Sequence, residues 1–336
     1  QGFSSAGEAK GAEIFVAELV PKFPKIFIAS IMVPITCDLG GLLATLLGAL
    51  CLSLSPEEGW KVCFYIGSGI AFCSSVTRKK LKETKDFINH SRQKAKTVLK
   101  PSHRYFEKRN FLALIGLNMI CPTAFYFAYS FGTDLLKDVA GLSENLILLS
   151  NSFLLIIEII FLFICAKLAY FYNPFYILQV RTLTSFILMP LSFLWLYLSP
   201  SYASIFFTQL IVLLSTASFD PATPLIIKSF SIQTRFSKYS KAWALAKAIM
   251  YLSTGYLTYY VHNLFGLGGV LTLLMLFSII FWISLNYFVP YHEMEDRYKD
   301  LKADTNEKGH NKKLKNTAIQ EDTSYHEKAL KKWLDS

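Results

Sequence analysis

The chain has 336 residues, 53% of them hydrophobic and only 17% charged, with a mean hydropathy of +0.36. A water-soluble domain carries about 25% charged residues, so much of this surface faces something other than water, and the same figures exclude intrinsic disorder. The net charge of +10 is the one feature that points toward nucleic acid, and where that charge sits decides against it.

Apolar stretches of about 18 or more residues are long enough for a helix to cross a hydrocarbon core of about 30 Å. In chain order they are 3–20, 26–54, 60–77, 110–131, 146–168, 181–199, 203–227, 242–263 and 267–290, the first and third short and the first polar. All exceed a barrel strand of about ten residues and lack its alternation. The expected fold class is an all-α polytopic membrane protein. Four segments follow: 1–77 with three spans, a basic linker 78–109, six spans in 110–290, and a charged tail 291–336.

Lysine and arginine set the orientation of such a chain. Lys22, Lys25, segment 78–109, Lys167, Arg181, segment 228–241 and the tail hold thirty of them on one side of the spans, whereas the opposite connections hold Lys137 alone. The linker and the C-terminus are therefore expected in the cytoplasm. Segment 78–109 carries twelve basic and three acidic residues, so the excess charge is one solvated inter-bundle linker and not a nucleic-acid site. The tail balances ten basic against ten acidic residues and is expected to be partly helical, partly disordered. The six cysteines all fall in apolar spans with no CxxC and are expected to be small buried hydrophobes. No histidine has metal-ligand spacing, and there is no GxxxxGK[ST] or GxSxG, so no enzyme activity, metal or cofactor is expected.

Four motifs then stand in order. Residues 1–22 read QGFSSAGEAKGAEIFVAELVPK, Asp38-Leu39-Gly40 is followed by Gly48, Gly59-Trp60-Lys61 by Phe64, and Arg78 by Leu81, Glu83, Thr84 and Phe87. Together they resemble helices four to six of the metabolite:proton symporters, a branch of the major facilitator superfamily, and the proline/betaine transporters within it. FSIQTRFS at 230–237 is similar, more weakly, to the motif after helix ten. The resemblance implies an incomplete first bundle plus a six-helix second bundle, rocking around a midplane site lined by helices one, four, seven and ten. It also implies a bacterial inner membrane with the C-terminus cytoplasmic, and proton-coupled uptake of a small zwitterionic or organic-acid solute, an osmolyte such as proline or betaine.

That numbering makes the nine spans helices four to twelve, with one to three missing. Two alternatives arise: a non-transporting truncated remnant, stable only when paired with the missing three-helix segment, and a membrane scaffold acting through its charged tail. The helix-eight loop departs from the family pattern, reading CAKLAYFYNPF at 165–175 without the usual Asp and Arg pair.

Ionisable groups inside a bilayer are costly, about 2.5–3.5 kcal/mol each on insertion scales, and so are candidates for solute or proton handling. Asp38 lies about 18 Å into its span at helical rise; Glu158 interrupts LLIIEIIFLF; Asp220 precedes Pro221, where a broken helix can open a carboxylate to a cavity. Glu8 matches an acid of the family's helix four. Lys10 and Glu13, at i and i+3, are placed to neutralise each other. Asn118, Tyr126 and Tyr129 are substrate-binding candidates, the tyrosines as walls of a cation–π cage. Glu18, Arg78, Glu83 and Arg235 belong to the cytoplasmic gating motifs, and Glu18 is one turn from that interface.

Overall fold

A computed structural model describes residues 2–20, 25–55, 58–78, 101–216, 219–230 and 234–307. Among them every regular element is helical: α1 (Gly2–Leu19), α2 (Lys25–Leu54), α3 (Gly59–Arg78), α4 (Pro101–Tyr126), a π-helical turn (Phe127–Phe131), α5 (Gly132–Asp138), α6 (Glu144–Phe171), α7 (Pro174–Leu198), α8 (Tyr202–Thr216), a 3₁₀ turn (Asp220–Ala222), α9 (Thr223–Lys228) and α10 (Arg235–Glu307). The chain forms two compact units, 1–285 and 286–336. The basic linker from 79 to 100 and the tail from 308 onward lie outside the described residues.

Among the described residues, six helical stretches have the length and hydropathy to cross a membrane, as an integral membrane protein requires: Lys25–Leu54, Lys108–Asp138, Glu144–Phe171, Pro174–Leu198, Tyr202–Lys228 and Arg235–Val289. The last holds both expected spans 242–263 and 267–290. Gly266, at φ 61° and ψ −151°, separates them, a backbone conformation that only glycine adopts without strain. The expected spans 3–20 and 60–77 are the helices α1 and α3, which fall outside the six. Lys10, Glu13 and Glu18 make α1 polar, and α3 is diluted by glycine and serine.

One boundary shift moves an expected loop residue into a helix. Asn173 accepts a hydrogen bond from the Phe175 amide at 2.9 Å, and Pro174 opens the helix, a strong start signal. Thus α7 begins seven residues before the expected 181, and Arg181 lies inside the helix, only 8% exposed. It belongs to the interior and not to a cytoplasmic loop.

The outer faces of the helices are apolar, and polar side chains are buried between them. On α6 the outward face is Leu146, Leu149, Phe153, Ile160 and Phe163, all exposed, while Ser150, Asn151, Ser152 and Glu158 are buried. Water would favour the reverse; a hydrocarbon solvent favours this one. Hydroxyls inside the spans return to their own helix, as Thr182 does to the Leu178 carbonyl (2.8 Å) and Ser192 to that of Met189 (2.9 Å). The helix α2 packs along α6 through Ile31, Ile35, Ile159, Leu162 and Ala166. Thr45 and Ser152 join them by a hydroxyl–hydroxyl contact of 2.8 Å.

The π-helical turn follows Pro122, which cannot donate within α4. There the Gly132 amide bonds to the Phe127 carbonyl, which frees the carbonyl of Ala128. Gln209 on α8 donates Nε2–H to that oxygen at 2.6 Å. A π-turn rotates the residues around it relative to a regular helix, and this one sets where Tyr129 points.

Candidate functional site

A cavity of about 280 Å³ lies among α1, α2, α4, α6, α8, the 3₁₀ turn and α10. Its walls include Asp38 and Cys37 from α2, Asn118, Cys121 and Phe125 from α4, Glu158 from α6, Asp220 from the 3₁₀ turn, Lys10 and Glu13 from α1, and Trp243, Lys247 and Tyr251 from α10. Three carboxylates flagged as costly in isolation, Asp38, Glu158 and Asp220, thus share one cavity with Asn118.

The Asp220 position depends on the break in the helix. Helix α8 ends at Thr216, the chain turns through Asp220–Ala222 in 3₁₀ form, and α9 resumes at Thr223 with Pro224 in its first turn. Asp220 is 9% exposed on this turn. Glu158, 7% exposed, accepts a long hydrogen bond of 3.4 Å from the Tyr129 hydroxyl. Tyr129 in turn rests on Phe125, ring centroids 4.6 Å apart. The buried guanidinium of Arg181 interacts electrostatically with both Glu158 and Asp220.

The α1 wall is closed by an ion pair. Lys10 donates to Glu13 Oε1, both side chains are buried, and Tyr239 donates its hydroxyl to Glu13 Oε2 at 2.9 Å. The same ammonium lies 5.2 Å from the Trp243 ring centroid and 5.6 Å from that of Tyr239. The Lys247 ammonium is also near the indole, 5.6 Å from the Trp243 ring centroid, and lies 5.3 Å from that of Tyr251. Trp243, Lys247 and Tyr251 are spaced four apart and form one stripe of α10, as helical side chains at i and i+4 do.

Several expected residues lie elsewhere. Tyr126 is not on the cavity wall: its ring packs close to Gly255 and against the cluster of Ala124, Phe127, Phe193 and Leu274. The π-turn puts Tyr129, and not Tyr126, beside the acids. Glu18 and Arg235 meet away from the cavity, where Arg235 Nη1 donates to Glu18 Oε1 at 3.3 Å, each side chain 13% exposed. The side chains of Glu8 and Arg78, and the whole of Glu83, lie outside the described residues. The cysteines are not uniformly buried. Cys51 and Cys165 are, Cys37 and Cys73 are exposed, and Cys37 and Cys121 line the cavity.

Arg181, Trp243, Lys247 and Tyr251 escaped the sequence reading. A lysine a few residues inside the apolar run 242–263 was the signal available for Lys247. For Arg181 the Asn-Pro start of α7 was the signal.

The Glu18–Arg235 pair ties α1 to α10, and a double-mutant cycle measures it. Glu18→Gln and Arg235→Gln are each expected to lower stability in detergent by about 1–3 kcal/mol, with a coupling of at least about 0.5 kcal/mol between them. Strictly additive effects in thermal unfolding contradict the pair.

Compared with protein-family models, with curated protein sequences and with solved structures, the chain gives no significant match to any.

Proposed function

We propose that the chain is a secondary transporter that carries a small organic solute across the membrane together with protons. The observation that supports this most is the cavity: ionisable side chains from α1, α2, α6, the 3₁₀ turn and α10 turn inward onto one space while the outer faces of the helices are apolar. Charged groups in membrane helices that face a shared cavity mark substrate and ion pathways. A broken helix at such a cavity brings backbone and a carboxylate to the ligand. The volume of about 280 Å³ is just below that of drug-sized ligand sites, which start near 300 Å³, and suits a solute of amino-acid size.

The finer reading rests on the motifs of residues 1–87. It assigns the chain to the major facilitator superfamily, to a bacterial inner membrane with a cytoplasmic C-terminus, and to an osmolyte such as proline or betaine. In that reading α1 is helix four and the α8–α9 unit helix ten, two of the helices expected to line the path, and both reach the cavity.

The test is uptake of labelled proline and betaine into vesicles containing the chain. Accumulation that a protonophore abolishes is expected. Accumulation indifferent to the protonophore contradicts proton coupling, and no uptake of either solute contradicts the osmolyte assignment.

A further inference from the structure

Six acidic or basic side chains line the cavity: Lys10, Glu13, Asp38, Glu158, Asp220 and Lys247. Four have an opposite charge acting on them from within the protein. Lys10 pairs with Glu13; Glu158 takes the Tyr129 hydroxyl and lies in the field of Arg181 as well as that of Asp220; Asp220 lies in the field of Lys10 and Arg181 as well as that of Glu13. The other two do not. Asp38 makes no hydrogen bond or ion pair among the described residues, and the charged groups nearest it in effect, Glu158 and Asp220, share its sign. Lys247 has only neutral partners there, donating to Cys121 Sγ at 3.6 Å and to the Tyr251 hydroxyl at 3.5 Å, with the Trp243 and Tyr251 rings beside it.

Uncompensated charges are costly inside a membrane protein, and here one of each sign opens on the same cavity without touching the other. A ligand carrying both charges compensates both poles at once. We infer that Lys247 is the anion pole and Asp38 the cation pole of a zwitterion site. The ligand's carboxylate lies on Lys247, its quaternary or protonated amine turns to Asp38, and the Trp243 and Phe125 rings flank its alkyl groups. A solute with only one of the charges leaves the opposite pole bare, and rejection follows from that desolvated, unpaired group. The inference rests on the proposed solute-binding role of this cavity and adds which side chain reads which end of the solute.

Three probes of nearly one shape separate the poles. Betaine carries both charges, choline lacks the carboxylate, and 3,3-dimethylbutyrate lacks the cation. Binding to the purified chain in detergent is read by calorimetry, without any gradient. Betaine is expected to bind at least about tenfold more tightly than either analogue, the effect of one charged hydrogen-bonding group. Lys247→Gln removes the preference over choline by weakening betaine while choline binds more tightly, because its bare pole is gone, and Lys247→Arg restores most of the preference. Asp38→Asn removes the preference over 3,3-dimethylbutyrate by weakening betaine while that analogue binds more tightly. Equal affinity of the unmodified chain for betaine and either analogue, or no binding of betaine, overturns the inference whatever the variants do. So does a Lys247→Gln variant that weakens betaine and choline alike. A betaine preference without vesicle uptake keeps this site and rejects transport; proton-driven uptake of choline alone keeps transport and rejects this site.

Discussion

Replacing Glu158 by Gln is expected to lower proton-driven accumulation of solute at least about a hundredfold, the scale on which removing a proton-transferring group acts, while leaving solute exchange nearly intact. Glu158 lines the cavity and is buried among apolar neighbours of α6, in reach of the Tyr129 hydroxyl and in the field of the Arg181 guanidinium. Glutamine has the same shape and still accepts the Tyr129 hydrogen bond, so binding and the conformational cycle can proceed. It cannot take up and release a proton. Exchange of labelled for unlabelled solute needs no net proton movement, whereas accumulation does, so the two assays in the same vesicles separate the roles. Loss of both activities assigns Glu158 to binding or folding instead. Retention of both removes it from the coupling mechanism.

The second large effect is on stability. Glu13→Gln leaves the Lys10 ammonium buried without its carboxylate, and breaking a buried pair from one side costs about 3–5 kcal/mol. The side chains of Lys10 and Glu13 are only 8% and 7% exposed, so solvent does not take over the lost interaction. The Tyr239 hydroxyl, held at 2.9 Å by Glu13, keeps an acceptor in the Gln variant, which makes the expected loss electrostatic and not a lost hydrogen bond. Replacing both, Lys10→Met with Glu13→Gln, removes the charges together and is expected to recover most of the stability. Thermal unfolding in detergent reads both. A double variant as unstable as the single one contradicts the pairing account, because it shows that shape and not charge was lost.

Both experiments rest on side chains whose assembly follows from different levels of the sequence. The spanning helices were legible because unbroken apolar runs have few other outcomes in a helical chain, whereas the expected loop around 262–266 is in the structure a kink at Gly266 within α10. The individual acids were legible for the same physical reason: Asp38, Glu158 and Asp220 each interrupt an apolar run at a cost, so each stood out alone. Their convergence was not. More than a hundred residues separate Asp38 from Glu158, and no local pattern states that α2 packs along α6 or that α8 breaks toward them.

Aromatic placement was the least legible. Tyr126 and Tyr129 differ by three residues and look equivalent in sequence, but the π-turn at Phe127–Phe131, sustained by Gln209 bonding the Ala128 carbonyl, places Tyr129 against Glu158 and Tyr126 against Gly255. That depends on a partner eighty residues away. The interior role of Arg181 was hidden by one boundary. Reading the span from 181 made it a loop residue, while the Asn173–Pro174 start places it two turns inside α7. Lys247 was hidden by its position near the beginning of a span, where a lysine ordinarily extends to the membrane surface; instead it turns to Cys121 and Tyr251 in the cavity.

Solute-driven proton entry tests most directly the proposal that the cavity moves solute and protons together. Vesicles containing the chain, with a pH-sensitive dye inside and no imposed gradient, receive betaine or proline from outside. Acidification of the lumen that begins with solute addition, saturates with its concentration, and is lost in Glu158→Gln is the predicted result. Solute entry measured in the same vesicles without any change in internal pH contradicts it.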